Sequence, residues 1–413
     1  MRSLMIGWLW LLCASCSPPH RTASSDEALA DAIVHDVAPA CPTAITGTVY
    51  APNGTLPLYD VRVYVPLSDP GPLTEGVTCE RCSASVPGGA LATATTDARG
   101  RFRLEGVPPD RSFPLVIATG KWRRQLTMPA VAACTDTEFP SGTFRLPRNR
   151  SEGDIPRIAV ALGSCDPLAC VLTKLGIDSS EFGDSSSGPQ RVVFYATDTP
   201  HPGSPQPTQS LWGNLDELKK FDMVINSCEC GEYNSNKTSP DVLRQYADIG
   251  GRVYGSHYHY TWARNLIPAW TATASWEGGA YEVGDPALVD TSTADGEAFA
   301  EWLVETGAST VYGEVPLVMR TNDVSTVVPP TQRWLYSRTV GTGPQTTDFL
   351  SFETPVGAAS GEHCGKVVHA GMHVSAGYVD SNFPVSCTAE LTPNEKALVF
   401  LLFDLGSCID IIL

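Results

Sequence analysis

The chain has 413 residues, of which 42% are hydrophobic and 18% are charged, and its formal net charge is −17. This length allows two or three domains with substantial cores, and the composition excludes an intrinsically disordered chain. The negative charge repels phosphate backbones, so no nucleic-acid partner is expected. The 33 prolines and 36 glycines indicate many turns and long connections.

The first 16 residues, MRSLMIGWLWLLCASC, are typical of an export signal. Arg2 precedes an apolar run at residues 4–12 that is too short to span a bilayer as a helix. Small residues then precede Cys16, which resembles a lipobox, although Cys13 stands where that pattern usually has leucine. Residues 1–16 are therefore predicted to be a lipoprotein signal peptide with lipidated Cys16. An ordinary cleaved signal and a retained anchor are the alternatives.

The residues after the signal refine this location. Ser17, rather than aspartate, follows the cysteine, and the lipoprotein resemblance then implies the outer membrane, facing the periplasm or the surface. The protein is expected to contact the membrane through its N-terminal lipid. Residues 17–42 are rich in Ser, Ala, Pro and Asp, which predicts a flexible tether.

Of the 13 cysteines, 11 remain if Cys13 leaves with the signal and Cys16 carries lipid. In an oxidising compartment these are expected to pair. Four lie in the first folded region, where two bridges with three possible connectivities are expected: Cys41, Cys79, Cys82 and Cys134. A four-thiolate zinc site is the alternative there. Seven lie in the second region, so at least one thiol is expected to be free: Cys165, Cys170, Cys228, Cys230, Cys364, Cys387 and Cys408.

Within the second region, Cys228 and Cys230 are two residues apart and are not expected to bond each other. Each is expected to pair elsewhere, for instance with Cys170 or Cys165. Bridging of Cys364 to Cys387 would fix the segment between them, which contains His373. Cys408 follows the last predicted helix and would tie down the C-terminus.

Residues 43–147 are predicted to be all-β, because apolar residues alternate along strands at residues 44–50, 61–65, 101–104, 113–118 and 124–128. Three motifs occur in order: I-x-G-T-V, P-L-x-x-V-x-V-Y-V-P and T-D-A-x-G-x-F-x-L. Together they are similar to carboxypeptidase regulatory-like domains. The resemblance implies a transthyretin-type β-sandwich, related to starch-binding modules, that serves as a spacer, chaperone or ligand-binding unit.

Residues 148–154 form a short polar linker, and residues 155–413 follow an α/β pattern. Strands at residues 158–162, 192–195, 222–226 and 252–257 alternate with helices at residues 166–175, 211–220 and 239–247. This alternation predicts a parallel, doubly wound sheet. Two later helices, at residues 298–306 and 393–403, are predicted together with added strands at residues 333–338, 349–353 and 366–370.

Two runs in this half, Y-A-D-I-G-G-R-V-Y-G-S-H and G-K-V-V-H-A-G-M-H, resemble the class I glutamine-amidotransferase-like fold, a flavodoxin-type arrangement, and its trehalose-utilisation-type branch. The two-domain order resembles uncharacterised bacterial surface lipoproteins. A glutaminase needs cysteine at the elbow where this chain has His257, so that activity is not expected. Tyr254 and Tyr258 also occupy the glycine positions of a serine-hydrolase elbow.

Candidate chemistry lies at the carboxyl ends of the parallel strands, where ligands gather in open sheets. His257 and His259 are two residues apart, His373 ends a later strand, and Glu229 follows the third strand. An extended backbone would point both early histidines the same way, and such a set would suit zinc-assisted hydrolysis. Packed structural histidines are the favoured alternative, so no cofactor is expected.

The aromatic stretch from Tyr258 to Trp276, with Tyr260, Trp262 and Trp270 between them, would suit a sugar-stacking surface or an ordinary core. The sequence shows no complete catalytic set. It therefore favours a cell-envelope lipoprotein that binds a carbohydrate or a protein partner without catalysis. A metal- or histidine-dependent hydrolase-like enzyme using His257, His259 and His373 is the alternative.

Overall fold

The computed structural model describes residues 41–82, 85–196, 205–278, 281–282, 286–337, 345–359, 361–374, 383, 387 and 389–409. The predicted signal, Cys16 and all of the predicted tether before Cys41 lie outside these residues. From Cys41 onward the described residues belong to one compact unit. No helix within the described ranges is long and apolar enough to cross a membrane.

The described part of the first region contains eight strands arranged in two sheets. They are β1 (Ala44–Tyr50), β2 (Arg62–Pro66), β3 (Ala90–Thr95), β4 (Arg101–Glu105), β5 (Phe113–Thr119), β6 (Trp122–Met128), β7 (Asp136–Glu138) and β8 (Phe144–Arg145). One sheet has the order β4-β1-β7, with β8 also on β1, and the other is an antiparallel β3-β2-β5-β6. Alternate residues such as Val63, Leu104 and Leu115 are buried in a common core, as the period-2 pattern predicts.

The second region, where it is described, adds fifteen strands. They are β9 (Ile158–Leu162), β10 (Phe182–Gly183), β11 (Val192–Ala196), β12 (Gln206–Pro207), β13 (Met223–Asn226), β14 (Arg252–Ser256), β15 (Ala274–Trp276), β16 (Tyr281–Glu282), β17 (Ala287–Val289), β18 (Glu314–Val315), β19 (Arg320–Thr321), β20 (Val324–Val327), β21 (Gln332–Ser337), β22 (Thr346–Thr354) and β23 (Gly365–Ala370).

Seven α-helices accompany these strands among the residues that the structure describes: α1 (Leu168–Lys174), α2 (Thr208–Trp212), α3 (Leu215–Leu218), α4 (Pro240–Asp248), α5 (Pro268–Thr271), α6 (Ala294–Glu305) and α7 (Pro393–Gly406). The helix predicted at residues 211–220 is two short helices instead. Gly213 ends α2, and the Asn214 side chain then accepts hydrogen bonds from the backbone N–H groups of Asp216 and Glu217, which starts α3.

The main sheet has the order β10-β11-β9-β13-β14-β23-β22-β21-β17-β18, with β12 beside β11. The strands from β10 to β23 in this order are parallel, and helices cover both faces of the sheet. β12 also pairs parallel with β11. The strands beyond β23 on this path, namely β22, β21, β17 and β18, pair antiparallel, so the sheet is mixed and the fold is α/β with both kinds of pairing. The connections at residues 338–345 and 355–364 are too short for a crossover helix, which forces antiparallel pairing.

Five disulfides join the described cysteines: Cys41–Cys134, Cys79–Cys364, Cys82–Cys408, Cys165–Cys230 and Cys170–Cys387. The expected free thiol is Cys228, which is buried. Cys41–Cys134 is one of the two bridges expected within the first region. The second of those bridges, the four-thiolate zinc site and the bridge from Cys364 to Cys387 are wrong. Their common cause is the β2–β3 loop, which crosses to the second region and carries Cys79 and Cys82 with it.

The sandwich and the main sheet also share an apolar interface around α7. Phe400 stacks on Tyr59, with ring centroids 5.8 Å apart, and Phe403 lies 6.0 Å from Trp122. The Trp302 indole N–H donates to the Pro57 carbonyl at 2.8 Å. Thr392 and Glu395 form a capping box that starts α7 with Pro393 in its first turn.

Candidate functional site

Three buried side chains converge at the carboxyl ends of the parallel strands. Cys228 follows β13, His257 follows β14 directly, and His373 follows β23. The Cys228 Sγ lies 3.8 Å from the His257 Nδ1, which lies 2.9 Å from the His373 Nε2. The three donor atoms all lie within 4.8 Å of one another, and the residues are 0%, 1% and 0% exposed, respectively. We call this group the Cys–His–His cluster.

The turn after β14 aims the first of these histidines. His257 has a φ of +35°, in the left-handed region that a non-glycine residue rarely occupies, and it opens a 3₁₀ turn at His257–Tyr260. Such a conformation costs about 1–3 kcal/mol and persists where the surroundings impose it, often at functional sites. The strain thus falls on a residue of the cluster.

Both cluster histidines direct their second ring nitrogen at an oxygen atom. His373 Nδ1 lies 3.0 Å from the Cys165 carbonyl oxygen, so Nδ1 carries the proton and Nε2 faces the cluster. His257 Nε2 lies 3.7 Å from the Asp323 Oδ1, and the other oxygen of Asp323 lies 3.1 Å from the His369 Nε2. Outer partners of this kind are the ones that orient metal-binding histidines.

Burial controls the protonation of the cluster. It lowers the pKa of His257 from 6.5 to about 4 and lowers the pKa of His373 as well. It raises the pKa of the Cys228 thiol from 9.0 to about 12. At neutral pH the cluster therefore holds two neutral imidazoles and a protonated thiol, which is a poor nucleophile in this state.

His259 and Glu229, two of the residues singled out from the sequence, do not join the cluster. The His259 Nε2 lies 2.9 Å from the Ser227 carbonyl oxygen, and its Nδ1 accepts from the Trp262 indole at 3.1 Å. The backbone turns here instead of staying extended, so His257 and His259 point in different directions. Glu229 forms a buried ion pair with Lys237.

Asp166 is a further buried carboxyl group beside the cluster, and no sequence motif marks it. It follows Cys165 in the loop after β9 and accepts a hydrogen bond from the Val374 N–H at 3.0 Å. Burial raises the pKa of Asp166 to about 8. Since Val374 follows His373, this carboxyl fixes the loop that carries the second histidine.

Sequence reasoning also misses two other parts of the site. Cys228 is a disulfide candidate by sequence, although the odd cysteine count and its place after a strand mark it as a possible free ligand. Asp323 lies between β19 and β20, in a segment with no motif. Only the tertiary fold brings its carboxylate to His257 and His369.

Of the two interpretations of the aromatic stretch, most of its rings fit an ordinary core and not a sugar-stacking surface. Tyr260, Trp262 and Trp270 are 2%, 3% and 2% exposed. Trp262 packs against Trp212 with centroids 5.5 Å apart, because a π-helical turn at Trp262–Leu266 folds the segment onto the sheet. These rings belong to the core on that face.

A groove of about 450 Å³ lies between the sandwich and the C-terminal segment. Its lining includes the charged residues Arg62, Glu80, Arg81 and Arg123. Arg81 already donates to the His363 carbonyl at 2.9 Å, and Arg123 pairs with a neighbouring carboxylate at 2.8 Å. Binding of a glycan or a protein partner by this protein stays a prediction.

No family model matches the chain, and no curated protein sequence matches it. Among solved structures, a cohesin–X-dockerin complex from Acetivibrio cellulolyticus is 15% identical, with a TM-score of 0.17 over 36% of this chain and 78% of that one. The N-terminal domain of mmIFT52 is 10% identical, with a TM-score of 0.29 over 60% of this chain and 97% of that one. The dioxygenase domain of a carbohydrate-binding fusion protein from Streptomyces sp. SirexAA-E is 17% identical, with a TM-score of 0.12 over 40% and 82%.

Scores this low carry no argument about fold or function. The resemblances to carboxypeptidase regulatory-like domains and to the amidotransferase-like fold therefore stay predictions. The two-sheet sandwich and the mixed α/β sheet rest on the strand pairing described above.

Proposed function

We propose that this protein is an exported cell-envelope protein that binds a transition-metal ion, without catalysis, in the Cys–His–His cluster. The observation that carries the proposal is the convergence of one sulfur and two imidazole nitrogens within 4.8 Å. Thiolate and imidazole are the ligands that zinc and copper prefer in proteins. The cluster thus provides metal ligands at a place where the sequence favoured packed structural histidines.

The distances suit an ion after small adjustments. Zinc bonds of about 2.05 Å to nitrogen and 2.3 Å to sulfur, at tetrahedral angles, place two nitrogens about 3.3 Å apart and nitrogen and sulfur about 3.6 Å apart. The corresponding distances here are 2.9 and 3.8 Å. These two distances need shifts of about 0.4 and 0.2 Å, which small side-chain rotations supply. The third, from the Cys228 Sγ to the His373 Nε2, is no longer than 4.8 Å and has to approach about 3.6 Å as well.

Enclosure favours binding over turnover. A catalytic metal keeps a position that water and substrate reach, whereas the cluster residues are at most 1% exposed. The hydrolase-like alternative also required His259, whose two ring nitrogens both have other partners. The geometry therefore supports a non-catalytic site.

Five disulfides support the export part of the proposal, because such bonds persist in oxidising compartments. Lipidation of Cys16, attachment to the outer membrane, and the two family resemblances belong to the same proposal. So does a glycan or protein partner.

Metal analysis of the purified protein tests the metal-binding claim. The protein is incubated with excess zinc, desalted and measured for bound zinc, together with Cys228→Ser, His373→Ala and the control His363→Ala. His363 pairs with Glu353, outside the cluster. We expect about one ion per chain in the wild type and the control, and a loss of at least about tenfold in the other two. A wild type that binds neither zinc nor, in a parallel incubation, copper would refute the proposal, and so would cluster variants that retain the ion while folded by circular dichroism.

A further inference from the structure

The number of donors in the Cys–His–His cluster restricts which metal fits it. Among the described residues, the histidine, cysteine and carboxylate donors of this group number three. Zinc takes a fourth ligand, either from the protein or as a water in an open position. Asp323 lies behind the rings, at the outer nitrogens of His257 and His369, and Asp166 is bound to the Val374 N–H. Neither carboxylate completes a four-coordinate shell.

Disulfide pairing leaves one sulfur at this edge of the sheet. Cys165 and Cys230 lie close to the cluster and bond each other. The bridge connects the loop after β9 to the loop after β13, on which Cys228 stands. The Cys230 N–H also donates to the Cys228 Sγ at 3.4 Å. The fold thereby presents a single, fixed thiol to two imidazoles and removes the neighbouring thiols from competition.

One thiolate with two imidazoles in a three-coordinate arrangement is a ligand set that suits copper, and copper also stands highest in divalent affinity for nitrogen and sulfur sites. We infer that the Cys–His–His cluster binds one copper ion through the Cys228 Sγ, the His257 Nδ1 and the His373 Nε2. This inference rests on the proposed function, since it names the ion for the same site. The burial of the ligands keeps water from the ion, as a site that holds copper without turnover requires.

The outer contacts support this geometry. The Cys165 carbonyl holds the His373 ring through Nδ1, which leaves Nε2 directed at the cluster. Asp323 faces the His257 Nε2, so a proton there points at a carboxylate once the Nδ1 binds metal. The His373 ring is thus oriented by a hydrogen bond before an ion arrives, which lowers the entropy lost on binding, and the His257 ring faces a carboxylate at 3.7 Å.

Competition between copper and zinc tests the inference. The purified protein is titrated anaerobically with copper(I), held by a chromophoric chelator and kept reduced by ascorbate, which leaves disulfides intact. The same protein is titrated with zinc, and separately with copper(II) while the visible spectrum is recorded. We expect one copper per chain, affinity at least about tenfold above that for zinc, and an intense thiolate-to-copper(II) absorption band.

The variants locate the ion. Cys228→Ser is expected to abolish the absorption band, and His373→Gln to weaken copper binding at least about tenfold, while His363→Ala changes neither. If Cys228→Ser does not fold, His373→Gln decides alone, because it keeps the thiol. Zinc binding equal to or tighter than copper binding would overturn this inference and leave the proposed function standing. Binding of neither ion would refute both, and a band that persists in Cys228→Ser would place copper elsewhere.

Discussion

The disulfides Cys79–Cys364 and Cys82–Cys408 both connect the β2–β3 loop to the second region, so their effects on stability are coupled. When Cys79–Cys364 is in place, Cys82–Cys408 closes a loop that contains 3 residues from Cys79 to Cys82 and 44 from Cys364 to Cys408, roughly 47 in all. The chain-entropy relation gives about 4 kcal/mol for such a loop at 25 °C. Without the Cys82–Cys408 bridge, but with Cys170–Cys387 in place, Cys79–Cys364 closes 91 residues on one side and 23 on the other, roughly 114 in all, which gives about 5 kcal/mol by the same relation.

Replacing either cysteine pair by serine should therefore lower the free energy of unfolding by about 4 kcal/mol. Replacing both pairs should lower it by about 9 kcal/mol, which exceeds the sum of the two single losses, about 8 kcal/mol. Denaturant unfolding of the oxidised proteins, followed by tryptophan fluorescence and far-ultraviolet circular dichroism, measures these values.

Full reduction provides the control, since all four proteins should then unfold at similar denaturant concentrations. A combined loss equal to or smaller than the sum of the single losses would refute the reasoning, because it would mean that the two loops are closed independently. Losses below about 1 kcal/mol for each pair would contradict the chain-entropy account altogether.

Three further predictions concern single positions. The raised pKa of Asp166 stabilises the folded state below the unfolded pKa, near 4, and this stabilisation is lost as the pH rises to about 8. The free energy of unfolding of Asp166→Asn should therefore rise relative to that of the wild type by about 5 kcal/mol between these two pH values. A difference in urea midpoints that does not change with pH would refute this. Thr392→Ala removes the capping box of α7 and should lower the free energy of unfolding, measured by thermal unfolding, by about 1 kcal/mol. Thr392→Ser keeps the capping hydroxyl and should retain this stability. An alanine Cβ at Gly120 would overlap the Gly406 carbonyl oxygen, whereas a Cβ at Gly142 would meet open space. Gly120→Ala should therefore lower the Tm far more than Gly142→Ala does. Equal shifts in Tm would contradict this packing.

Local signals predicted much of the fold. β1 and β9 occupy the residues expected from their apolar patterns, because burial on one or both faces leaves a direct mark on the sequence. The helix predicted from residue 239 begins with Ser239 as its N-cap residue and Pro240 in its first turn, and it ends before Gly250. Such features depend on neighbours within a few residues.

Non-local features escaped prediction. The direction of the strands from β21 to β23 depends on the connections between them. The apolar pattern of a strand does not indicate whether it pairs parallel or antiparallel with its neighbour. Disulfide partners lie as far apart as 326 residues, so spacing alone did not assign Cys82 to Cys408. The site was half predicted: His257 and His373 come together, whereas Cys228 and Asp323 reach it only through the tertiary fold.

X-ray absorption at the metal edge of the copper-loaded wild-type protein tests the central claim most directly. It reports the identity and distance of the ligand atoms without relying on a variant. A shell with one sulfur at about 2.2–2.3 Å and two imidazole nitrogens at about 2.0 Å is the predicted result. A shell of nitrogen and oxygen alone would contradict the assignment of the ion to Cys228, His257 and His373.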